Sequence, residues 1–308
     1  MSNATTAVVS LNHVSRWYGD VVAVNDVSFD FHPGITGVLG PNGAGKSTIL
    51  HLLTGFLQPS AGDVNLFGVP AWGDSALFRR VGLVPESEAV YPFLSVREFA
   101  TASARLHGLR DPGAVAARAI ARVELEADAD RPMRGFSKGM RQRAKIAASL
   151  VHDPEVLILD EPFNGTDPRQ RLQLMAMLRR MATEGRTIIF SSHILEEVEQ
   201  FADEVLVILA GRLAAAGDFH QIRRLMTDQP HTFTLCTSDD RRLAARLIGQ
   251  PDVAAIAVKD GGIEVRTTDF HAFTSAIARL SQDAGVTLLD LRPTDESLES
   301  VFAYLIRT

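Results

Sequence analysis

The sequence holds a single cysteine, Cys236, in 308 residues. That count excludes a disulfide framework within the chain and a cysteine-rich zinc site. The lone thiol is expected to be a small apolar core residue. No apolar run reaches the roughly 18 to 20 residues that a membrane-crossing helix needs. The longest candidate, Val205 to Ala216, is interrupted by Gly211 and Arg212. Met1 to Thr6 is polar, with no basic stretch before an apolar one, so no secretory signal is read there. The expectation is a soluble chain that serves a membrane, if at all, as a peripheral subunit. Positive charge is not in excess either: 31 Lys and Arg face 37 Asp and Glu, for a formal net charge of −6. A general nucleic-acid binder carries a basic field, so no nucleic-acid partner is expected. Internal repeats, low-complexity tracts and heptad arrays are also missing.

What is present is ordinary globular material, 46% hydrophobic and 22% charged. The length suits one large domain and a smaller one. Val8 to Val14 and Asp26 to Phe31 alternate like strands. Ile35 to Leu39 reads as a buried strand, Gly40 to Gly45 as a loop and Ser47 to Phe56 as a helix. Ser95 to about Glu126 is helical and alanine-rich with a break near Leu109 to Gly113, and Lys138 to Leu150 is a further helix. Then come strand Val156 to Leu159, helix Arg169 to Glu184, strand Thr187 to Ser191, helix Glu196 to Phe201 and a hairpin from Val205 to Ala216. Alternation of this kind implies an α/β core with a largely parallel sheet. After about Gly217 the register changes to a βαββαβ order. Its parts are Thr232 to Thr237, Arg241 to Gly249, Val253 to Lys259, Ile263 to Thr267, Phe270 to Ala284 and Val286 to Leu291. A last helix is expected at Asp295 to Ile306. The expected division is a large α/β domain over 1–218, with a helical subdomain at about 88–150, and a small ferredoxin-like accessory domain over 219–308.

Gly40-Pro41-Asn42-Gly43-Ala44-Gly45-Lys46-Ser47 fits the phosphate-loop pattern G-x-x-x-x-G-K-[ST] in full. Glycines let backbone N–H groups converge on phosphate oxygens, and the following helix offers its positive N-terminus to the anion. Lys46 supplies a compact cation for the outer phosphates, the Ser47 hydroxyl a magnesium ligand, and Thr48 the next position of the same turn. Asp160-Glu161 closes the apolar strand Val156 to Leu159. Two carboxylates at a strand end beside a phosphate site divide the work: the first holds Mg²⁺ and the second polarises the attacking water.

With these motifs in this order, the chain resembles the nucleotide-binding subunit of an ABC transporter over roughly Val8 to Gly217. The resemblance implies a P-loop ATPase core, ATP and Mg²⁺ as bound species, Asp160 as the magnesium carboxylate and Glu161 as the catalytic one. Phe136-Ser137-Lys138-Gly139-Met140 stands at the signature position, where the family's general form is L-S-G-G-Q. Ser137 and Gly139 are retained, and the resemblance gives them the γ-phosphate of ATP held by the opposite subunit. Taken alone, the same segment reads as a capped basic helix. His193, in Ser191-Ser192-His193, matches the switch histidine. Asn164-Gly165-Thr166-Asp167 matches the D-loop only at Asp167. Tyr18 matches the aromatic that stacks on adenine, with Trp17 as its competitor. Glu86, in Val81-Gly82-Leu83-Val84-Pro85-Glu86, stands where the family usually has Gln, a magnesium-sensing residue. The stretch Ser87 to Arg97 is then expected to receive a membrane partner.

Arg292 to Phe302 resembles the tail of exporter subunits of the ABC-2 type, as does the S-K-G-M signature. The implied assembly is a head-to-tail dimer with a second copy or paralogue, driving a separate transmembrane permease from the cytoplasmic face of the membrane. Two rivals stay open: a soluble relative acting on ribosomes or DNA, and an inactive regulatory cassette.

Overall fold

The computed structural model of the chain describes residues 7–87, 90–218, 231–259 and 261–293. The chain folds as two compact units, Met1–Gly217 and Asp218–Thr308.

In the first unit, β1 (Val9–Tyr18) and β2 (Val21–Phe31) form an antiparallel hairpin. β3 (Ile35–Leu39) has all five residues buried and leads into α1 (Lys46–Leu53). β4 (Ala61–Leu66) and β5 (Val69–Pro70) join the hairpin in a four-stranded sheet of order β2-β1-β4-β5. β6 (Val81–Val84) precedes three helices, α2 (Val96–Leu106), α3 (Pro112–Arg122) and α4 (Lys138–Leu150). A capping box between Ser95 and Glu98 starts α2, and the Asp111 side chain with Pro112 starts α3, which accounts for the break expected there. The unit closes with β7 (Val156–Leu159), α5 (Pro168–Thr183), β8 (Thr187–Ser192), α6 (Leu195–Phe201), β9 (Glu204–Leu209) and β10 (Arg212–Gly217).

The second sheet has six strands in the order β10-β9-β3-β8-β7-β6, parallel except for the β10 edge. Its central strands are buried along their whole length because helices cover both faces, so they read as continuous apolar runs. Phe163, Phe190 and Phe201 pack at 5.1–5.7 Å between ring centroids and lock α6 and the β7–α5 loop against the sheet.

Three departures from expectation have local causes. Strands β4, β5 and β6 are short and gain their regularity from pairing, β4 with β1, β5 with β4 and β6 with β7, rather than from their own alternation. Helix α1 ends at Leu53 and not at Phe56, because Gly55 turns at φ 73° and leaves Phe56 outside, against Phe78. The final strand runs from Leu288 to Pro293, two residues later than expected.

The second unit holds β11 (His231–Thr237), α7 (Asp240–Leu247), β12 (Val253–Lys259), β13 (Gly262–Thr267), α8 (Phe270–Asp283) and β14 (Leu288–Pro293). The sheet order β12-β13-β11-β14, with antiparallel neighbours throughout, is the ferredoxin-like arrangement. Phe233, Leu235, Leu243, Leu247, Val265 and Phe273 form its core. Cys236 is not part of that core. The pleat that buries Phe233 and Leu235 turns Cys236 to the other face of β11, half-buried, where its thiol donates to the Gly261 carbonyl at 3.0 Å. The helix expected at Asp295 to Ile306 lies outside the described residues.

His107, after α2, and His152, after α4, stack in the first unit with ring centroids 4.0 Å apart. His152 Nε2–H donates to the Val81 carbonyl at 2.9 Å. Burial pushes both imidazoles below the usual 6.5, with Arg79 adding to the effect on His107 and the neighbouring His107 to that on His152. An unfolded chain therefore binds more protons than the folded one once the pH drops below 6.5. The stability associated with the neutral pair is present above that value and is lost as the pH falls through the lowered folded values. Urea titrations at pH 7.5 and 5.5 are expected to show this loss, and a His107→Gln, His152→Gln variant is expected to flatten it.

Candidate functional site

The phosphate-loop candidate sits where β3 ends, between β8 and β9. Gly40 N–H donates to the Ser192 carbonyl at 3.3 Å and Ala44 N–H to the Pro41 carbonyl at 3.1 Å, which curls the loop. A β-carbon at Gly45 would run into the carbonyl oxygen of Ala23, and Gly45 takes φ 104°. No side chain caps the N-terminus of α1 at that glycine, so its first-turn amides stay available to an anion. Asn42, Gly43, Gly45, Lys46, Ser47 and Thr48 line a cleft of about 440 Å³ together with Glu86 and Glu161. Val21, Val22 and Ala23 of β2 also line it. Sequence reasoning missed these three, although Val21 and Val22 are apolar and well exposed, as a shelf for a flat ring requires.

Lys46 is 6% exposed. Its ammonium donates to the Gly40 carbonyl at 2.9 Å and the Pro41 carbonyl at 3.3 Å, and lies 3.2 Å from Glu161 Oε1. The other carboxylate oxygen, Glu161 Oε2, accepts from His193 Nδ1–H at 2.9 Å. Because a carboxylate only accepts, the proton in this bond is on Nδ1. Glu161 occupies the left-handed region at φ 46°, a strain of about 1 kcal/mol or more for a residue with a β-carbon. Buried Ser191 holds both acidic residues: its hydroxyl donates to Asp160 Oδ1 at 2.6 Å and accepts from Glu161 N–H at 2.9 Å. Ser191→Ala would leave a buried carboxylate oxygen and a buried N–H unpaired. A loss of about 2–4 kcal/mol is expected, checked by chemical denaturation against the same substitution at a solvent-exposed serine.

Glu86 Oε1 accepts from Asn164 Nδ2 at 3.3 Å, which ties the loop after β6 to the loop before α5. Lys145, buried on α4, donates to the carbonyls of Pro85 at 2.7 Å and Ser87 at 3.0 Å. A lysine inside the apolar run Ala144-Lys145-Ile146-Ala147 was a visible signal for this clamp and was not read. Glu86 and Glu161 also line a second cavity of about 390 Å³, with Lys138, Arg141 and Gln142 on α4. Among the described residues no group of three or more His, Cys, Asp or Glu side chains could hold a metal ion. Ser47, Asp160 and Glu86 are hard oxygen donors, too few for a dedicated cage but suited to Mg²⁺ that brings phosphate oxygens with it.

Ser137, Gly139 and Asp167 line neither cavity. Ser137 caps α4, accepting from Met140 N–H at 3.2 Å, and Asp167 caps α5, accepting from Gln170 N–H at 2.9 Å. Gln170 joins the two, since Ser137 Oγ–H donates to its Oε1 at 3.3 Å. Tyr18, at the end of β1, is exposed, with the Arg16 guanidinium 4.7 Å over its ring. That cation competes for the face expected to stack on adenine.

Residues 24–164 match the ABC transporter family model. Over 218 residues the chain is 36% identical to the Nod factor export ATP-binding protein I of Rhizobium etli, covering 70% of this chain and 69% of that protein. The uncharacterized ABC transporter ATP-binding protein YxlF of Bacillus subtilis is 32% identical over 304 residues, 97% of this chain and 99% of its own length. The structure of cbiO1 from Clostridium perfringens, part of an ABC transporter complex, superposes with a TM-score of 0.64 at 29% identity, over 69% of this chain and 88% of that one. A nucleotide-free ATP-binding cassette from an ABC transporter gives 0.63 over 69% of this chain and 92% of its own, at 21% identity, a likeness of fold alone. With a P-loop core, a helical subdomain and relatives of this kind, the chain belongs to the ATP-binding subunits of ABC transporters.

Proposed function

We propose that the chain hydrolyses ATP between two copies of its first unit and so drives a separate transmembrane permease, in the direction of export. The observation that carries the reading is a split set. Eight candidate residues gather in one cleft, whereas Ser137 and Gly139 lie outside it and are tied to Asp167 through Gln170. This separation supports what the family resemblance implies, that the signature residues meet nucleotide held by a second subunit. The word export comes from the named relatives, and the tail resemblance agrees with it.

In this reading residues 1–218 bind the nucleotide and 219–308 serve as an accessory domain. The subunit works at the cytoplasmic face of the membrane. Asn42 to Thr48 hold the phosphates and Val21 and Val22 or Tyr18 the base. Lys46 exchanges its Gly40 and Pro41 carbonyls for phosphate oxygens, which frees Glu161 to accept the proton of the attacking water. His193 keeps that carboxylate aimed by its Nδ1–H. Ser47, Asp160 and Glu86 would hold Mg²⁺, which neutralises charge on the phosphates when bound. The partner's copy of Ser137 supplies a hydroxyl donor to the γ-phosphate.

The test is phosphate release by the purified chain with ATP and MgCl₂, with and without a membrane protein that co-purifies with it. Chelator-sensitive release, raised by a co-purifying permease, is the expected result. No release in either condition overturns the reading in favour of an inactive cassette.

A further inference from the structure

We infer that Gln170 is an internal occupant of the signature segment, a positioning residue that must withdraw before Ser137 engages a partner's nucleotide. The inference rests on the reading that Ser137 meets the partner's ATP. A serine hydroxyl has one proton to donate. Here that proton goes to Gln170 Oε1 at 3.3 Å, while the hydroxyl oxygen accepts from Met140 N–H. The same Oε1 lies in the space that a β-carbon on Gly139 would take. An acceptor oxygen therefore sits against both signature residues, bonded to the donor that a phosphate oxygen would need. Gln170 is held there from below, because its own N–H is bound by Asp167 at 2.9 Å. Asp167 and the signature are thus linked within one subunit. A phosphate arriving at Ser137 displaces the amide oxygen and loosens the first turn of α5.

The consequence is a competition. Removing the acceptor favours ATP-driven pairing, and placing a carboxylate there opposes it by both occupancy and repulsion of the anion. The experiment measures the ATP concentration for half-maximal dimerisation by light scattering, in full-length Glu161→Gln protein with MgCl₂. Adding Gln170→Leu is expected to lower that concentration about two- to tenfold, the range of one modest hydrogen bond. Adding Gln170→Glu is expected to raise it by at least as much. In a Ser137→Ala background the difference between Leu and Glu at position 170 is expected to shrink to the repulsion alone. In the otherwise native chain, Gln170→Leu is expected to lower KM for ATP with kcat little changed. An unchanged or raised ATP requirement in Gln170→Leu, with Glu161→Gln still dimerising, overturns this inference and leaves the sandwich standing. A Glu161→Gln protein that stays monomeric at saturating ATP-Mg overturns the reading beneath it as well.

Discussion

Replacing Glu161 by glutamine is expected to lower ATP turnover about 10²- to 10⁴-fold while nucleotide binding survives. The side chain keeps its shape, and its oxygen still accepts from Lys46 or His193. What it loses is basicity. Glu161 is the carboxylate placed between Lys46 at 3.2 Å and His193 at 2.9 Å, and it lines the cleft that holds the phosphate loop. Without an acceptor for the water's proton, the ATP state persists. A dimer at saturating ATP-Mg, absent with ADP, is the expected scattering result. Turnover within a few fold of the native chain would remove Glu161 from the general-base role.

The second large effect is expected from Gly45→Ala. The substitution puts a β-carbon on a residue at φ 104°, where the left-handed conformation costs about 1–2 kcal/mol. It also drives that carbon into the backbone carbonyl of Ala23, which cannot rotate away as a side-chain end would. Overpacking of this kind costs about 1–3 kcal/mol. Each kcal/mol shifts the melting temperature of a domain this size by about 2–4 °C, so a fall of ~5–15 °C is expected. Nucleotide binding is expected to be lost with it, because the loop must move away from β2 to relieve the clash. Gly43→Ala provides the contrast. Gly43 is at φ 80° but has nothing within 4 Å of its missing β-carbon, so only the conformational cost applies. Thermal melts of the two variants separate strain from clash; equal losses would mean that the Ala23 contact contributes nothing.

The residues differ in how well their roles could be read. The phosphate loop was legible because its chemistry is local: glycines, one lysine and one hydroxyl must follow a strand and precede a helix, all within one stretch of chain. Asp160 and Glu161 were legible for the same reason, as carboxylates ending an apolar strand. Ser191 was not read as functional, although its hydroxyl holds both of them, because its partners lie 30 and 31 residues away. Lys145 stood out inside an apolar run, but its partners were hidden likewise, with the loop carbonyls 58 to 60 residues back along the chain. Cys236 went the wrong way because a strand's pleat assigns alternate residues to opposite faces, and parity rather than polarity decided its place.

The sequence by itself determined the class of chemistry, the α/β alternation, the βαββαβ second unit and the family. Each of these is carried by short-range pattern, where spacing along the chain is already geometry. Only the tertiary structure decided which candidates share a cleft. It placed Glu86 beside Asn164 and opened a second cavity behind Glu161. It set Gln170 between Ser137 and Asp167. Those juxtapositions come from sheet order and from packing of α4 and α5, in which residues tens of positions apart meet because their strands and helices do.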